Sequence, residues 1–174
     1  MSHDITIQPI NAEAFAPFGD LLDCAGEPDR IINAGLCGRY HDRANLDCNP
    51  SDDAGRIGVS LFNAQTRSLP YEFDLVERHP LGSQCFVPMA HVGFLVIVAP
   101  DTDGIPGRPL AFGTAPGQAI NFHRNIWHGV LTPLHAPGRF AVIDRIGTAD
   151  NLEEYRYPHP WRASLARSLA SRRA

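Results

Sequence analysis

Glu77 and His79 stand two residues apart in the stretch ERHPLGSQCFVPM (Glu77 to Met89), an acid and an imidazole set among strand-forming residues. On an extended strand, positions i and i+2 project from one face, so both groups address the same space. Gln84 follows the Pro80-Leu81-Gly82 corner, a turn that can return it to that face. Much later, in NFHRNIWHGV, His128 ends another short run after Trp127. One carboxylate, two imidazoles and one amide oxygen suit a borderline divalent metal that keeps positions open for a ligand. The Glu-x-His spacing equally suits a solvated or hydrogen-bonded strand edge, and His123 reads as a surface or core-rim histidine. His3, His91, His135 and His159 stand in loop-like or terminal contexts.

A second polar group is INAGLCGRYHD, Ile32 to Asp42. Arg39 has the planar fork that holds a carboxylate through two hydrogen bonds, and His41 is of the residue type that moves protons near neutral pH. The other reading makes Asn33-Ala34-Gly35 a plain turn and Arg39 a surface ion-pair member. Arg145, in the DRIG stretch, has the same two readings: an anion clamp, or a partner of Asp144.

The elements that would carry these groups are mostly strands. Alternation predicts an opening strand over Ile5 to Ile10, and Asn11 then caps a short helix over AEAFAPFG. Further strands are predicted at Arg56–Gln65, Leu69–His79, Ser83–Met89, Gly93–Pro100, Gln118–His123 and Arg139–Gly147, each short, rich in Val, Ile and Phe, and bounded by Gly or Pro. So little room for helices between them predicts an all-β fold of antiparallel sheets closed into a barrel or jelly roll, and disfavours a parallel α/β sheet. Asp101 to Pro109 reads as a surface loop. Residues 1–157 read as one domain, and 158–174 as an extension that is helical, with Leu165 and Leu169 four apart, or frayed.

Composition narrows the function. The 174 residues, 44% hydrophobic and 20% charged, fit one globular core. Fifteen Gly and fifteen Pro, dispersed along the chain, favour many strands joined by turns. A net charge of −4 argues against nucleic acid and against an anionic membrane, leaving a small anionic ligand held by local arginines. No apolar run approaches the roughly 18 residues that span a bilayer. Cys24, Cys37, Cys48 and Cys85 form no C-x-x-C pair and follow no signal-like segment, which predicts reduced thiols in a cytoplasmic protein.

The order E-x-H, four residues, Q, and later W-H-G resembles the two metal motifs of the cupin superfamily, which place acidic and histidine ligands on adjacent strands of a small barrel. Glu77 stands where that pattern has its first His, and Gln84 where it has its later Glu. Over nearly the whole chain the sequence resembles the ureidoglycolate lyase family, in EAFAPFGD, IINAG with GRYHD, SLFNAQTRSLP, ERHPLGSQCFVPM, GQAINFHRNIWHGVL and VIDRIGTADNLEE. The resemblance implies a cupin-like double-stranded β-barrel, usually a homodimer, that cleaves (S)-ureidoglycolate into glyoxylate and urea late in allantoin degradation. It associates nickel or another divalent ion with the family. In that frame Glu77, His79, Gln84 and His128 surround the metal or the reacting oxygens. Arg39 or Arg145, with Asn33, binds the substrate carboxylate, and His41 or His123 relays the proton. The competing expectations are a cupin enzyme acting on a related small hydroxy acid and a non-catalytic barrel that binds small acids.

Overall fold

The computed structural model describes residues 3–49 and 54–166. In chain order the strands are β1 (Asp4–Pro9), β2 (Gly19–Leu22), β3 (Arg30–Ile32), β4 (Cys37–Arg39), β5 (Arg56–Asn63), β6 (Tyr71–Arg78), β7 (Gln84–Pro88), β8 (Phe94–Ala99), β9 (Asp101–Thr102), β10 (Ile105–Pro106), β11 (Leu110–Gly113), β12 (Ala119–Phe122), β13 (Trp127–His128), β14 (Thr132–Pro133), β15 (Arg139–Ile146) and β16 (Glu153–Leu165). One α-helix, α1 (Ala12–Phe15), follows β1. The Asn11 side chain accepts the Ala14 N–H at 2.9 Å, the cap that the sequence predicts. The helix is shorter than expected and its purpose is one side chain: Phe15 is fully buried.

Six strands close on themselves in the order β8, β11, β1, β16, β6, β13, and β13 returns to β8. A closed ring leaves none of these strands with an open edge. A second sheet, β2-β12-β7-β15-β5, lies apart from the ring in pairing and packs on it. This is the all-β barrel expected from the strand spacing, and it agrees with the cupin-like fold that the resemblance implies. Pairing is antiparallel except at β1, which runs parallel to both β11 and β16.

Two apolar cores follow from β8, whose six residues are all buried. Phe94, Val96 and Val98 face the core shared with the second sheet, beside Phe86, Ile120, Phe122, Phe140 and Val142. Leu95, Ile97 and Ala99 face the other core, with Ile5, Ile7, Phe73, Val76 and Trp127. A strand buried on both faces is a continuous hydrophobic run, which FLVIVA is.

Two expectations change. Pro158 to Leu165 is not a helix: it continues β16, which pairs with β6 and β1. A period of two runs through Tyr155, Tyr157, Trp161 and Ala163, which pack on the ring core, and Pro158 and Pro160 are residues that a helix interior excludes. Leu169, the other half of the expected helical pair, lies outside the described residues. The Asp101 to Pro109 loop contains the small ribbon β9–β10, turning through Asp103 and Gly104 at positive φ. Finally, β3 and β4 form a hairpin that pairs with neither large sheet, with Ile31 and Leu36 exposed. All four cysteines are free, and among the described residues no helix is long and apolar enough to cross a membrane.

Candidate active site

Glu77, near the end of β6, is in register with His128 on β13, and His128 is in register with Val98 on β8. Directly opposed residues of antiparallel strands share a face, and Val98 belongs to the core between ring and second sheet. Glu77 and His128 therefore look into the inter-sheet space. His79 lies just past the end of β6, where its backbone carbonyl accepts the Asn125 N–H at 2.9 Å. One ligand atom each from Glu77, His79 and His128 falls within 4.8 Å of the others. His79 Nε2 is 4.0 Å from Glu77 Oε1, and the two imidazole centroids are 5.3 Å apart.

Hydrogen bonds settle which ring nitrogens face inward. His79 Nδ1 lies 2.7 Å from the Asn151 carbonyl, and His128 Nδ1 lies 3.0 Å from that of Gly129. A carbonyl only accepts, so both Nδ1 atoms carry a proton, and in the neutral form of each ring the lone pair is on Nε2. Both Nε2 atoms are buried without a protein partner. Two oriented imidazoles with free lone pairs beside a carboxylate fit a divalent metal, with carbonyls fixing the ring orientation from behind.

The electrostatics agree. Burial pushes the Glu77 carboxyl up and Glu154 adds to it, against the opposing pull of His79. Burial, with His79 adding, pushes His128 down to about 3, although its bond to Gly129 works the other way. His128 therefore stays neutral at any working pH and serves as a lone-pair donor rather than an acid. The sign of the linkage follows. As pH falls below about 6 the unfolded chain protonates this imidazole and the folded chain does not, so stability drops by roughly 1 kcal/mol per pH unit. Denaturant titrations of metal-free protein at pH 6 and pH 5 should show this drop, and His128→Gln should reduce it.

Behind the cluster the opposite face of the same strand ends is tied down. Arg78 donates to Glu153 at 2.6 Å and to Asp101 at 2.8 Å, and its guanidinium sits 4.3 Å from the Trp127 ring centre. Trp127 Nε1 donates to the same Asp101 oxygen at 2.9 Å. Arg78 lies between Glu77 and His79, and Trp127 precedes His128, so this network holds both pieces of the site together.

The other predicted residues scatter. Gln84 opens β7 in the second sheet, so the Pro80-Leu81-Gly82 corner carries the chain across to the facing wall instead of back onto the first. There Gln84 is in register with Phe122, whose ring stacks on His128 at 4.2 Å. His123 bonds Asp20 Oδ1 at 3.0 Å; Asp20 pairs with Asn121, the neighbour of Phe122 that points the other way. Burial works against the Asp20 charge, yet hydrogen bonds from Asn121, His123 and the Asn45 N–H hold its carboxyl below the usual range. Arg145 sits over Gly82, its Nε donating to the Asn49 carbonyl at 3.2 Å. Its neighbour Asp144 faces Gln84 from the opposite side of β15, so strand alternation separates the Asp144–Arg145 pair that the sequence allowed. Arg39 and His41 bond each other at 2.8 Å at the exposed base of the β3–β4 hairpin, and Asn33 lies in its turn at φ 53°. Among the described residues, no hydrogen bond or ion pair joins these three to the Glu77 cluster.

Asp144 and Arg56 are polar groups that sequence reasoning missed. Asp144 pairs with Gln84 on one side and Gly58 on the other, and Arg56 NH1 lies 3.3 Å from where a Cβ on Gly58 would be. The signal was present as a glycine two residues after an arginine, within a strand otherwise dense in side chains.

Comparison with known proteins gives a consistent result. The family model described as Ureidoglycolate lyase matches residues 2–164. A ureidoglycolate lyase of Rhodobacter capsulatus is 63% identical over 156 residues, covering 90% of this chain and 95% of that protein. The protein named ureidoglycolate lyase 2 of Rhizobium meliloti is 45% identical over 162 residues, 93% of this chain and 98% of its own length. A Brucella abortus ureidoglycolate lyase is 42% identical over 151 residues, covering 87% and 88%.

Proposed function

The chain belongs to the ureidoglycolate lyase family, and from that premise we propose that it cleaves (S)-ureidoglycolate into glyoxylate and urea, a carbon–nitrogen lyase step of allantoin breakdown. The observation that carries this reading is the convergence of Glu77 with the two unpartnered Nε2 atoms of His79 and His128.

Ureidoglycolate is a carbinolamide, so the reaction breaks one O–H and one C–N bond, forms one C=O, and returns a proton to the departing nitrogen. No water is consumed. A divalent ion, nickel or another, held by Glu77, His79 and His128 would bind the substrate's carboxylate and hydroxyl and lower the hydroxyl's pKa. Glu77 takes the hydroxyl proton on a carboxylate oxygen and passes it to the leaving nitrogen. The Nδ1 bonds of His79 and His128 keep their rings from turning during the step. Phe122, stacked on His128, keeps water from one side of the cluster.

In this reading the enzyme works in the cytoplasm as a homodimer. The four free thiols support the first. Support for the second comes from the terminal strand β5 and the unsupported hairpin, with Leu61 72% and Leu36 89% exposed.

The test is direct. Purified protein incubated with (S)-ureidoglycolate should release glyoxylate and urea in equal amounts, lose this activity on chelation, and regain it with added divalent ion. Ammonia in place of urea would make the protein an amidohydrolase and overturn the proposal.

A further inference from the structure

One face of the second sheet presents two buried acceptors that have no hydrogen-bond partner among the described residues. Gln84 is 7% exposed and its Nε2 donates to Asp144 Oδ2 at 3.2 Å. Gln84 Oε1 and Asp144 Oδ1 are both buried and have no partner. The amide cannot be turned to relieve this, because a flip would set its oxygen against a carboxylate. A buried acceptor left empty is costly, and two side by side need a ligand that brings donors.

Their position says which end of a ligand they meet. Phe122, Gln84, Asp144 and Gly58 are successive register partners across β12, β7, β15 and β5, so their side chains share one face. At one end of this row Phe122 stacks on His128; at the other, the Ile146 side chain closes over Gly58 and ends the row. A carboxylate would be repelled by Asp144 and finds its place at the His128 end. The ureido group carries adjacent N–H donors, which match two adjacent acceptors.

We propose that Gln84 and Asp144 form the ureido subsite, accepting the substrate's N–H groups. This rests on the lyase reading and deepens it: the pair fixes substrate orientation and selects a ureido group over other amides. It also assigns Gln84 to the substrate instead of the metal.

The experiment is calorimetric titration of the metal-loaded protein with oxalurate, which keeps a carboxylate and a ureido group, and with glyoxylate, which lacks the ureido group. Asp144→Asn and Gln84→Met should each weaken oxalurate binding about tenfold or more, the loss expected for a hydrogen bond to a charged or buried partner. Glyoxylate affinity and metal content should stay at wild-type values, while Gln84→Met, which takes away the hydrogen bond to Asp144 Oδ2, lowers the melting temperature without unfolding the protein. Equal weakening of both ligands, unchanged oxalurate binding, or loss of metal in Gln84→Met would each overturn the proposal. Because binding is read without turnover, wild-type protein that binds oxalurate through these residues but releases no urea from ureidoglycolate would overturn the lyase reading alone.

Discussion

Replacing His79 by alanine lowers kcat/KM for ureidoglycolate at least about 10²-fold while the protein stays folded, the scale on which a positioned proton-handling or metal-holding group acts. The expectation rests on how little else His79 does. Its ring touches the backbone through Nδ1 and the cluster through Nε2, and it belongs to neither apolar core. His128 is a harder case because it is 1% exposed and stacked on Phe122. His128→Ala should lose activity to the same degree, but it also opens a hole. His128→Gln keeps most of the volume and isolates the missing lone pair. Turnover, bound metal and near-ultraviolet circular dichroism read together separate chemistry from packing, and near-normal turnover in both His79 and His128 variants would sink the assignment.

Phe140→Ala should cost about 3–5 kcal/mol of stability, the usual loss for a large aromatic removed from a close-packed core. Phe140 is fully buried on β15 and meets Phe94 of β8 edge-on, with ring centroids 5.1 Å apart. It is thus a link between the second sheet and the ring. Against a total stability of about 5–15 kcal/mol, such a loss leaves little margin. Denaturant unfolding at neutral pH measures it; a loss below about 1 kcal/mol would mean that the two sheets repack around the gap.

Which of these features could be read from the chain depends on how local each signal is. The Glu77 and His79 pair was legible because both sit on or beside one strand, and His128 because it ends a short apolar run. Gln84 was placed in the right neighbourhood on the wrong wall, since a three-residue corner in sequence looks the same whether it turns back or crosses between sheets. Asp144 was overlooked beside Arg145 for a related reason: strand parity decides which neighbour faces inward, and one residue of register reverses the answer. His123 fails by the same parity, with Phe122 facing His128 and His123 facing Asp20. The strand after Pro158 was legible in Tyr155, Tyr157 and Trp161, but two leucines four apart suggested a different period. Short pieces such as β13 and β14, two residues each, exist because β8, and for β13 also β6, offers them a ladder, which no local pattern records.

β8 is one wall with a hydrophobic core on either side. Neither core can melt while the other survives, because loss of β8 exposes Phe94, Val96 and Val98 together with Leu95, Ile97 and Ala99. The consequence is cooperativity: ring and second sheet unfold in a single transition, and the β8 amides exchange their hydrogens only through opening of the whole molecule.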